Sequence, residues 1–179
     1  VMEESLRVQS IASSPEDREG MIYALTKIVR SDESMLVVCN TAALLRFLPD
    51  VEYIKENLID LKVDQTCSMK ELRSHLNQSG YAKVNYVDKP CTYACRGGII
   101  DIFSLEYDYP IRIEFFDTEI ESIRFFNEQT QRTIRSIDSV EIGPATDILL
   151  TNQQIETIKE AVFEKLEKEK KCFSKAEQV

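Results

Sequence analysis

Polar and apolar residues alternate in short runs through the middle of the chain, which is the pattern of β-strands with one buried face. A first run at residues 58–63 is followed by six more, which predict strands at Lys83–Val87, Thr92–Arg96, Ile99–Phe103, Pro110–Phe116, Ile120–Phe126 and Ser136–Ile142. Short polar turns join these strands and favour an antiparallel sheet. Between the first two runs, a capping sequence at residues 68–71 begins a helix, and Gly80 is suited to end it. The pattern therefore predicts an α+β fold for residues 57–148, an antiparallel sheet with a packed helix.

The residues before this unit show a different pattern. Pro15 and the acidic residues after it are typical of a helix start, and apolar positions at helical spacing continue to about Arg30. Met35–Cys39 is a continuous apolar run, which predicts a strand buried on both faces, and a second short helix is predicted at residues 42–48. Because one buried strand cannot form a parallel sheet alone, residues 1–56 are interpreted as a partial segment of a split α/β domain.

A helix is also predicted after the central unit. Residues 151–154 form a capping pattern, and an apolar stripe follows at Ile155, Ile158, Val162 and Leu166. A helix with one apolar face needs a partner surface to cover it. Residues 149–179 are therefore interpreted as the helical start of the second half of the split domain, so that partial segments of this domain flank the α+β unit on both sides.

Charge and the length of the apolar runs narrow the classes of function. The net charge of −9 over 179 residues argues against non-specific binding to DNA, which needs a basic face. The apolar runs are all shorter than a membrane span, and the first residues lack the layout of a signal peptide. We therefore expect a cytoplasmic protein without a membrane partner.

Metal and cofactor chemistry find little support in the sequence. The five cysteines are scattered and odd in number, which argues against a disulfide framework. Cys91 and Cys95 are four residues apart, but a closed zinc site needs four ligands, and His75, the only histidine, lies in a different predicted element. The sequence contains no Gly-rich phosphate-binding loop. No cofactor and no metal are expected, and the chain by itself is not expected to be an enzyme.

One enzymatic interpretation, a nuclease, depends on two acidic residues. Asp101 and Glu114 lie on neighbouring predicted strands and resemble the metal-binding acids of a restriction-type nuclease core. Such a core also needs a lysine two residues after the glutamate, and that position is Phe116. The two acids are therefore expected to lie on the solvent face of the sheet.

The predicted strand that ends at Phe116 has the composition of a binding surface. Strict alternation puts Arg112, Glu114 and Phe116 on the face opposite to the apolar residues. An outward arginine near an outward aromatic is typical of an interaction hot spot. The alternation equally allows Phe116 to bend inward at the turn that begins with Asp117. If the arginines face solvent, reversing their charge should change folding little.

Three segments of the central unit closely resemble bacterial transcription-repair coupling factors, the Mfd family, in the region homologous to the excision-repair protein UvrB. They are Tyr93–Phe103, Tyr109–Phe126 and Thr130–Thr133. Two upstream segments resemble the coupling factors and not UvrB itself, and they are Ser13–Glu16 and Ala42–Pro49. The resemblance covers essentially all of residues 1–150, with several motifs in order and at the family's spacing.

The resemblance implies a function in nucleotide excision repair. Whole coupling factors are ATP-driven DNA translocases that remove stalled RNA polymerase and recruit UvrA. Residues 57–148 are similar to the family's UvrA-binding domain, which corresponds to domain 2 of UvrB, whereas RNA polymerase and DNA are contacted by other domains. In the family, two arginines and a phenylalanine bind UvrA, and they match Arg96, Arg112 and Phe116. The resemblance thus favours an outward Phe116. Cys95 departs from the family, in which another small residue, Thr or Val is common, but this leaves the neighbouring arginine in place.

Two alternatives belong to other classes. The first is a fragment of UvrB itself or of a motor with ATPase activity, which would need the phosphate-binding loop that this sequence lacks. The second is a DNA-binding module of a repair helicase that uses Arg96, Arg112, Arg124 and Arg132. Acidic residues outnumber basic ones between residues 81 and 135, so the local charge does not favour DNA.

Overall fold

The computed structural model describes residues 15–41, 48–147 and 156–167. The chain forms two compact units, residues 1–149 and residues 150–179. The elements of the first unit are, in chain order, α1 (Pro15–Arg30), α2 (Val51–Glu56), β1 (Ile59–Lys62), α3 (Met69–Gln78), β2 (Ala82–Lys83), β3 (Thr92–Arg96), β4 (Ile99–Phe103), β5 (Ile111–Phe116), β6 (Glu119–Phe126), β7 (Thr133–Ile137) and β8 (Ser139–Ile142).

Two sheets organise this unit. The larger has six strands in the order β2-β3-β4-β5-β6-β7, and every neighbouring pair is antiparallel except β2 and β3. The smaller pairs β1 with β8, also antiparallel. The predicted α+β fold with a mostly antiparallel sheet and packed helices is confirmed.

One face of the six-stranded sheet, here called the inner face, forms the main core. Leu72 and Leu76 are four residues apart on α3, so both point from one side of the helix, and they share a buried cluster with the sheet. The other fully buried members are Tyr93, Ile100, Ile102, Ile111, Ile113, Ile120, Ile123, Val140 and Ile142. The β-branched residues that dominate this set pack well on a pleated surface.

The ends of α3 follow the predicted signals in part. Ser68 occupies the N-cap position, but its side chain makes no capping hydrogen bond. Gly80 has a φ of 88°, in the region that favours glycine, and a Cβ there would collide with the side chain of Thr146. The helix therefore ends where only glycine fits.

Three strand predictions need correction. Met35–Cys39 forms no strand, and its side chains are exposed. A strand needs a neighbour for its backbone groups, and no described strand pairs with this segment. Of the strand predicted at Lys83–Val87, only Lys83 lies in a strand, the two-residue β2. The strand predicted at Ser136–Ile142 is divided between β7 and β8, because the chain turns at Asp138 and passes from the larger sheet to the smaller.

The helix α1 is part of the first unit. Ile22 and Thr26 are buried, and the Arg30 guanidinium binds carboxylates of both strands of the smaller sheet, Asp60 at 2.8 Å and Glu141 at 3.1 Å. The helix α1 is thus tied to the α+β fold. The proposed division of the chain at residues 56 and 148 stays a prediction, and the short helix predicted at residues 42–48 lies almost wholly outside the described residues.

The second unit is described at residues 156–167, which form one helix, α4. This agrees with the predicted helix, whose capping residues 151–154 and whose Ile155 lie outside the described residues. The rest of the predicted stripe, Ile158, Val162 and Leu166, is exposed. In the described parts of the chain, no helix is long and apolar enough to cross a membrane.

Candidate docking surface on the outer face of the sheet

The second face of the six-stranded sheet, the outer face, carries charged residues in a row across the strands. The pairing sets Ala94 beside Asp101, Asp101 beside Arg112, Arg112 beside Arg124, and Arg124 beside Ser136. Cross-strand partners lie on the same face of a sheet. The alternation that buries isoleucines on the inner face therefore collects Asp101, Arg112 and Arg124 on the other.

Asp101 lies at the centre of the row and is buried, with its side chain 1% exposed. Its carboxylate accepts hydrogen bonds from Arg112 Nε at 2.6 Å and Arg112 Nη2 at 2.8 Å, and from Arg96 Nη2 at 2.8 Å. The prediction that this acid lies on the solvent face is wrong. Its cross-strand neighbour on β3 is the small Ala94. Arg96 and Arg112 cover the carboxylate.

Arg112 is held on several sides. Its Nη2 also donates to Gln131 Oε1 at 2.7 Å, and its guanidinium lies 4.2 Å from the centre of the Phe126 ring. The hydrogen bond with Asp101 raises the pKa of Arg112 above its ordinary value. The side chain is only 13% exposed, so the expectation that Arg112 faces solvent is wrong. The Phe126 ring and the turn that carries Gln131 lie outside this strand, so the alternation of its residues could not predict these contacts.

Arg96 ends β3 and is the more accessible arginine, with its side chain 42% exposed. Its guanidinium lies 4.8 Å from the centre of the Tyr86 ring, which is itself exposed. The turn after it is the predicted glycine pair. Gly97 has a φ of 57°, and a Cβ at Gly98 would come 3.0 Å from the carbonyl oxygen of Phe115. The turn therefore fixes where Arg96 leaves the sheet.

Phe116 is 74% exposed at the end of β5. The residue before it, Phe115, points to the inner face and is 9% exposed. A shift in register between Glu114 and Phe115 marks a bulge in the pairing of β5 with β6, and Phe116 keeps its outward direction beyond it. Of the two orientations that the sequence allowed, the structure has the outward one.

A second charged pair lies on the same face. Arg124 donates to both carboxylate oxygens of Glu114, to Oε2 at 2.9 Å, and the Ser122 hydroxyl donates to Oε2 at 3.0 Å. The hydrogen bonds from Arg124 lower the pKa of Glu114. Arg112 and Arg124 are cross-strand partners and would repel each other. The two carboxylates, each bound to one of them, offset that repulsion.

These contacts bear on the nuclease and metal interpretations. Both acids of the supposed nuclease core are occupied by arginines. Within the described residues, no group of three or more His, Cys, Asp or Glu side chains is placed to hold a metal ion. Burial, with Glu19 and Glu106 adding to it, raises the pKa of Cys91 to about 12. That thiol is suited to packing rather than to ligation, since ligation needs the thiolate.

The outer face brings the predicted site residues together in two ways. Arg96 and Arg112 share one carboxylate, and Phe116 lies on the strand of Arg112, four residues further and thus roughly 13 Å along it. Sequence reasoning missed Tyr86 and Gln131. A signal existed only for Gln131, which belongs to the motif at residues 130–133.

Comparison with known proteins identifies relatives of this chain. The family model described as the UvrB interaction domain matches residues 59–148. The transcription-repair-coupling factor of Bacillus subtilis (strain 168) is 37% identical over 142 residues, which cover 79% of this chain and 12% of the relative. Those of Staphylococcus aureus (strain bovine RF122 / ET3-1) and Staphylococcus epidermidis (strain ATCC 12228 / FDA PCI 1200) are 35% and 33% identical over 82% and 80% of the chain, again 12% of each relative.

The chain thus spans a small part of the length of these curated relatives. The resemblance to the UvrB-homologous region of the coupling factors is confirmed, and the chain belongs to the UvrB interaction domain family.

Proposed function

We propose that this chain is a docking module that binds UvrA through the outer face of its six-stranded sheet, in the manner of UvrB. The observation that carries the proposal is the exposed ring of Phe116 at the end of the strand that carries Arg112, one of two arginines that bind a buried carboxylate. The family description and the names of the relatives support the choice of partner.

The chemistry of the surface suits a protein partner with acidic groups. A large exposed apolar ring loses contact with water on binding, and a neighbouring arginine gives charge-assisted hydrogen bonds that become stronger once water is excluded. Arg96 is accessible for such bonds. The chain as a whole is acidic, so the attraction to an acidic partner is local to this face.

The proposal extends to the whole protein of which such a chain is a part. A coupling factor would use this module to recruit UvrA to stalled RNA polymerase, while its remaining domains drive translocation on DNA with ATP. Because UvrB would use the same surface of UvrA, the chain and UvrB should compete for it. A direct test is a titration of preformed UvrA–UvrB complex with this chain, in which displacement of UvrB supports the shared site and a stable ternary complex contradicts it.

DNA is the less favoured partner. Arg96, Arg112 and Arg124 each pair with a carboxylate on the outer face, so the face does not form a continuous positive stripe. A DNA-binding surface gives an affinity that falls steeply with salt concentration. Filter binding of this chain to duplex DNA over a salt series separates the two partners.

Binding to UvrA is tested with one substitution and a matched control. Phe116→Ala should weaken UvrA binding about thirtyfold, the loss expected for an aromatic hot spot of about 2 kcal/mol. Phe163→Ala removes an equally exposed ring from α4 and should leave the affinity unchanged. The measurement is the dissociation constant for UvrA, with melting temperatures to confirm folding.

Charge reversal gives a second test of the same surface. Arg96→Glu should weaken UvrA binding about thirtyfold or more, since about 2 kcal/mol or more is lost when an interfacial charge pair is broken. Arg73→Glu reverses a charge on α3, away from the outer face, and serves as the control. Full affinity in both Phe116→Ala and Arg96→Glu, or no binding by the unchanged chain, contradicts the proposal.

A further inference from the structure

The two arginines of the outer face are not equivalent in their free hydrogen-bonding capacity. A guanidinium has five N–H groups. Arg112 uses Nε and Nη2 on Asp101 and Nη2 again on Gln131, and its side chain is nearly covered. Arg96 engages Nη2 alone among the described contacts, and it is three times as exposed. Arg96 therefore has donors to offer a partner, and Arg112 has few.

The carboxylate between them explains this difference. Arg112 binds both oxygens of Asp101 in a two-pronged arrangement, which leaves room for a single further bond at Oδ2. Arg96 takes that bond. The other N–H groups of Arg96 make no hydrogen bond to the carboxylate among the described contacts. The Tyr86 ring on its flat side limits the guanidinium further.

We propose that Asp101 is the positioning residue of the docking surface: held by Arg112, it fixes the Arg96 guanidinium so that the outward N–H groups of Arg96 receive a carboxylate of the partner. Arg112 then acts through Asp101 rather than by direct contact. Asp101 is buried and cannot reach the partner itself. This inference rests on the proposed docking function.

The benefit to binding is preorganisation. A free arginine side chain samples many rotamers and loses that freedom when it binds. Arg96 is already restricted by a charged hydrogen bond on one side and a ring on another. The partner therefore meets a guanidinium that already has one orientation. Binding does not have to order the Arg96 side chain, so the entropy cost of binding is smaller and the affinity is higher.

A double-mutant cycle isolates this effect from general destabilisation. Asp101→Asn should weaken binding of UvrA about three- to tenfold, the ordering cost of one long side chain. In the Arg96→Ala background the same substitution should change the affinity by less than about twofold, since the guanidinium that Asp101 orients is absent. Additive losses in the two backgrounds overturn the proposal, as does an unchanged affinity in Asp101→Asn alone.

Asp101→Asn leaves Arg112 without its charge partner, so a second variant guards against loss of folding. Asp101→Leu combined with Arg112→Met replaces the ion pair with apolar side chains of similar size, an exchange that folded proteins tolerate. This variant keeps Arg96 but releases it. Its affinity for UvrA should fall by the same factor as in Asp101→Asn and, again, only when Arg96 is present. A wild-type affinity overturns the proposal.

A measurement on the unchanged chain needs no partner. Nitrogen-15 relaxation of the arginine Nε–H groups should show Arg96 and Arg112 as rigid as the backbone, and Arg73 on α3 as mobile. If Arg96 is as mobile as Arg73, the positioning role of Asp101 is contradicted. If UvrA fails to bind the chain while Arg96 is rigid, the docking function fails and the geometry around Asp101 stands, so the two failures are distinguishable.

Discussion

The two faces of the six-stranded sheet are ordered by different forces. The inner face is apolar and covered by α3, and its isoleucines are fully buried. The outer face is ordered by Asp101, Glu114 and the arginines that bind them. Burial of apolar area stabilises the fold directly, by about 25 cal/mol per Å². A buried ion pair contributes little net stability, because the cost of desolvation offsets the attraction between the charges.

This difference indicates what each face is for. The inner face holds the main apolar core, and a smaller buried cluster of Val87, Ala94, Phe103 and Phe126 lies beside the charged residues of the outer face. The charged network adds something that apolar packing cannot, which is a guanidinium held in one direction beside an exposed ring. The comparison can be tested because each face predicts its own pattern of loss on substitution.

The largest loss is expected on the outer face. Arg112→Glu removes the two-pronged partner of Asp101 and places a like charge beside it, which should lower the free energy of unfolding by about 3–5 kcal/mol. This reverses the expectation from sequence that the change is harmless to folding. Urea denaturation measures it against Arg73→Glu, which should fall within about 0.5 kcal/mol of the unchanged chain. Equal denaturation midpoints for the two variants would show that the charged network does not stabilise the outer face.

A loss of stability with a different physical cause is expected on the inner face. Phe115→Ala removes a ring that is 9% exposed and packed in the core, and should cost about 3 kcal/mol through lost burial and a cavity. The same denaturation series measures it. Because no charge is involved, the loss should not depend on salt or on pH between 5 and 8. A salt-dependent loss would mean that the substitution disturbs the outer face as well.

A smaller effect depends on pH. Arg124 holds the pKa of Glu114 below its ordinary value of 4.5. A carboxyl with a lowered pKa in the folded state stabilises the fold above the unfolded pKa, and the contribution disappears as the pH falls through the folded pKa. The pair is partly exposed, so the contribution is under about 1 kcal/mol. The free energies of unfolding of the chain and of Glu114→Gln should differ at pH 6 and converge as the pH falls through the lowered pKa of Glu114, and a constant difference would contradict this.

The inner face could be predicted from the sequence almost completely. Its residues lie at every second position on β3, β4 and β5, and α3 has a helical stripe between capping residue and glycine, so local pattern alone identifies most of this face. The failure at Met35–Cys39 has the opposite cause. An apolar run shows that a strand can form, but its pairing depends on neighbours that the run does not contain.

The outer face could be predicted only in its composition. Alternation placed Arg112 and Phe116 on one side, and the resemblance to the coupling factors added Arg96. The register that puts Asp101 between the two arginines depends on how three strands align, and one residue of slip would separate them. Gln131 and Tyr86 come from turns, whose direction no period fixes. The network is therefore a property of the assembled sheet.

The smallest change in stability is expected at Phe116, the residue proposed as the apolar anchor of the docking surface. Phe116 and Phe115 are chain neighbours of the same type, so Phe116→Ala and Phe115→Ala remove the same atoms from opposite faces. Phe116 is 74% exposed and its ring leaves no cavity when removed, so the free energy of unfolding should stay within about 0.5 kcal/mol of the unchanged chain. Denaturation of both variants side by side measures the contrast. A cost at Phe116 as large as at Phe115 would place its ring in the core, and the docking surface would lose its apolar centre.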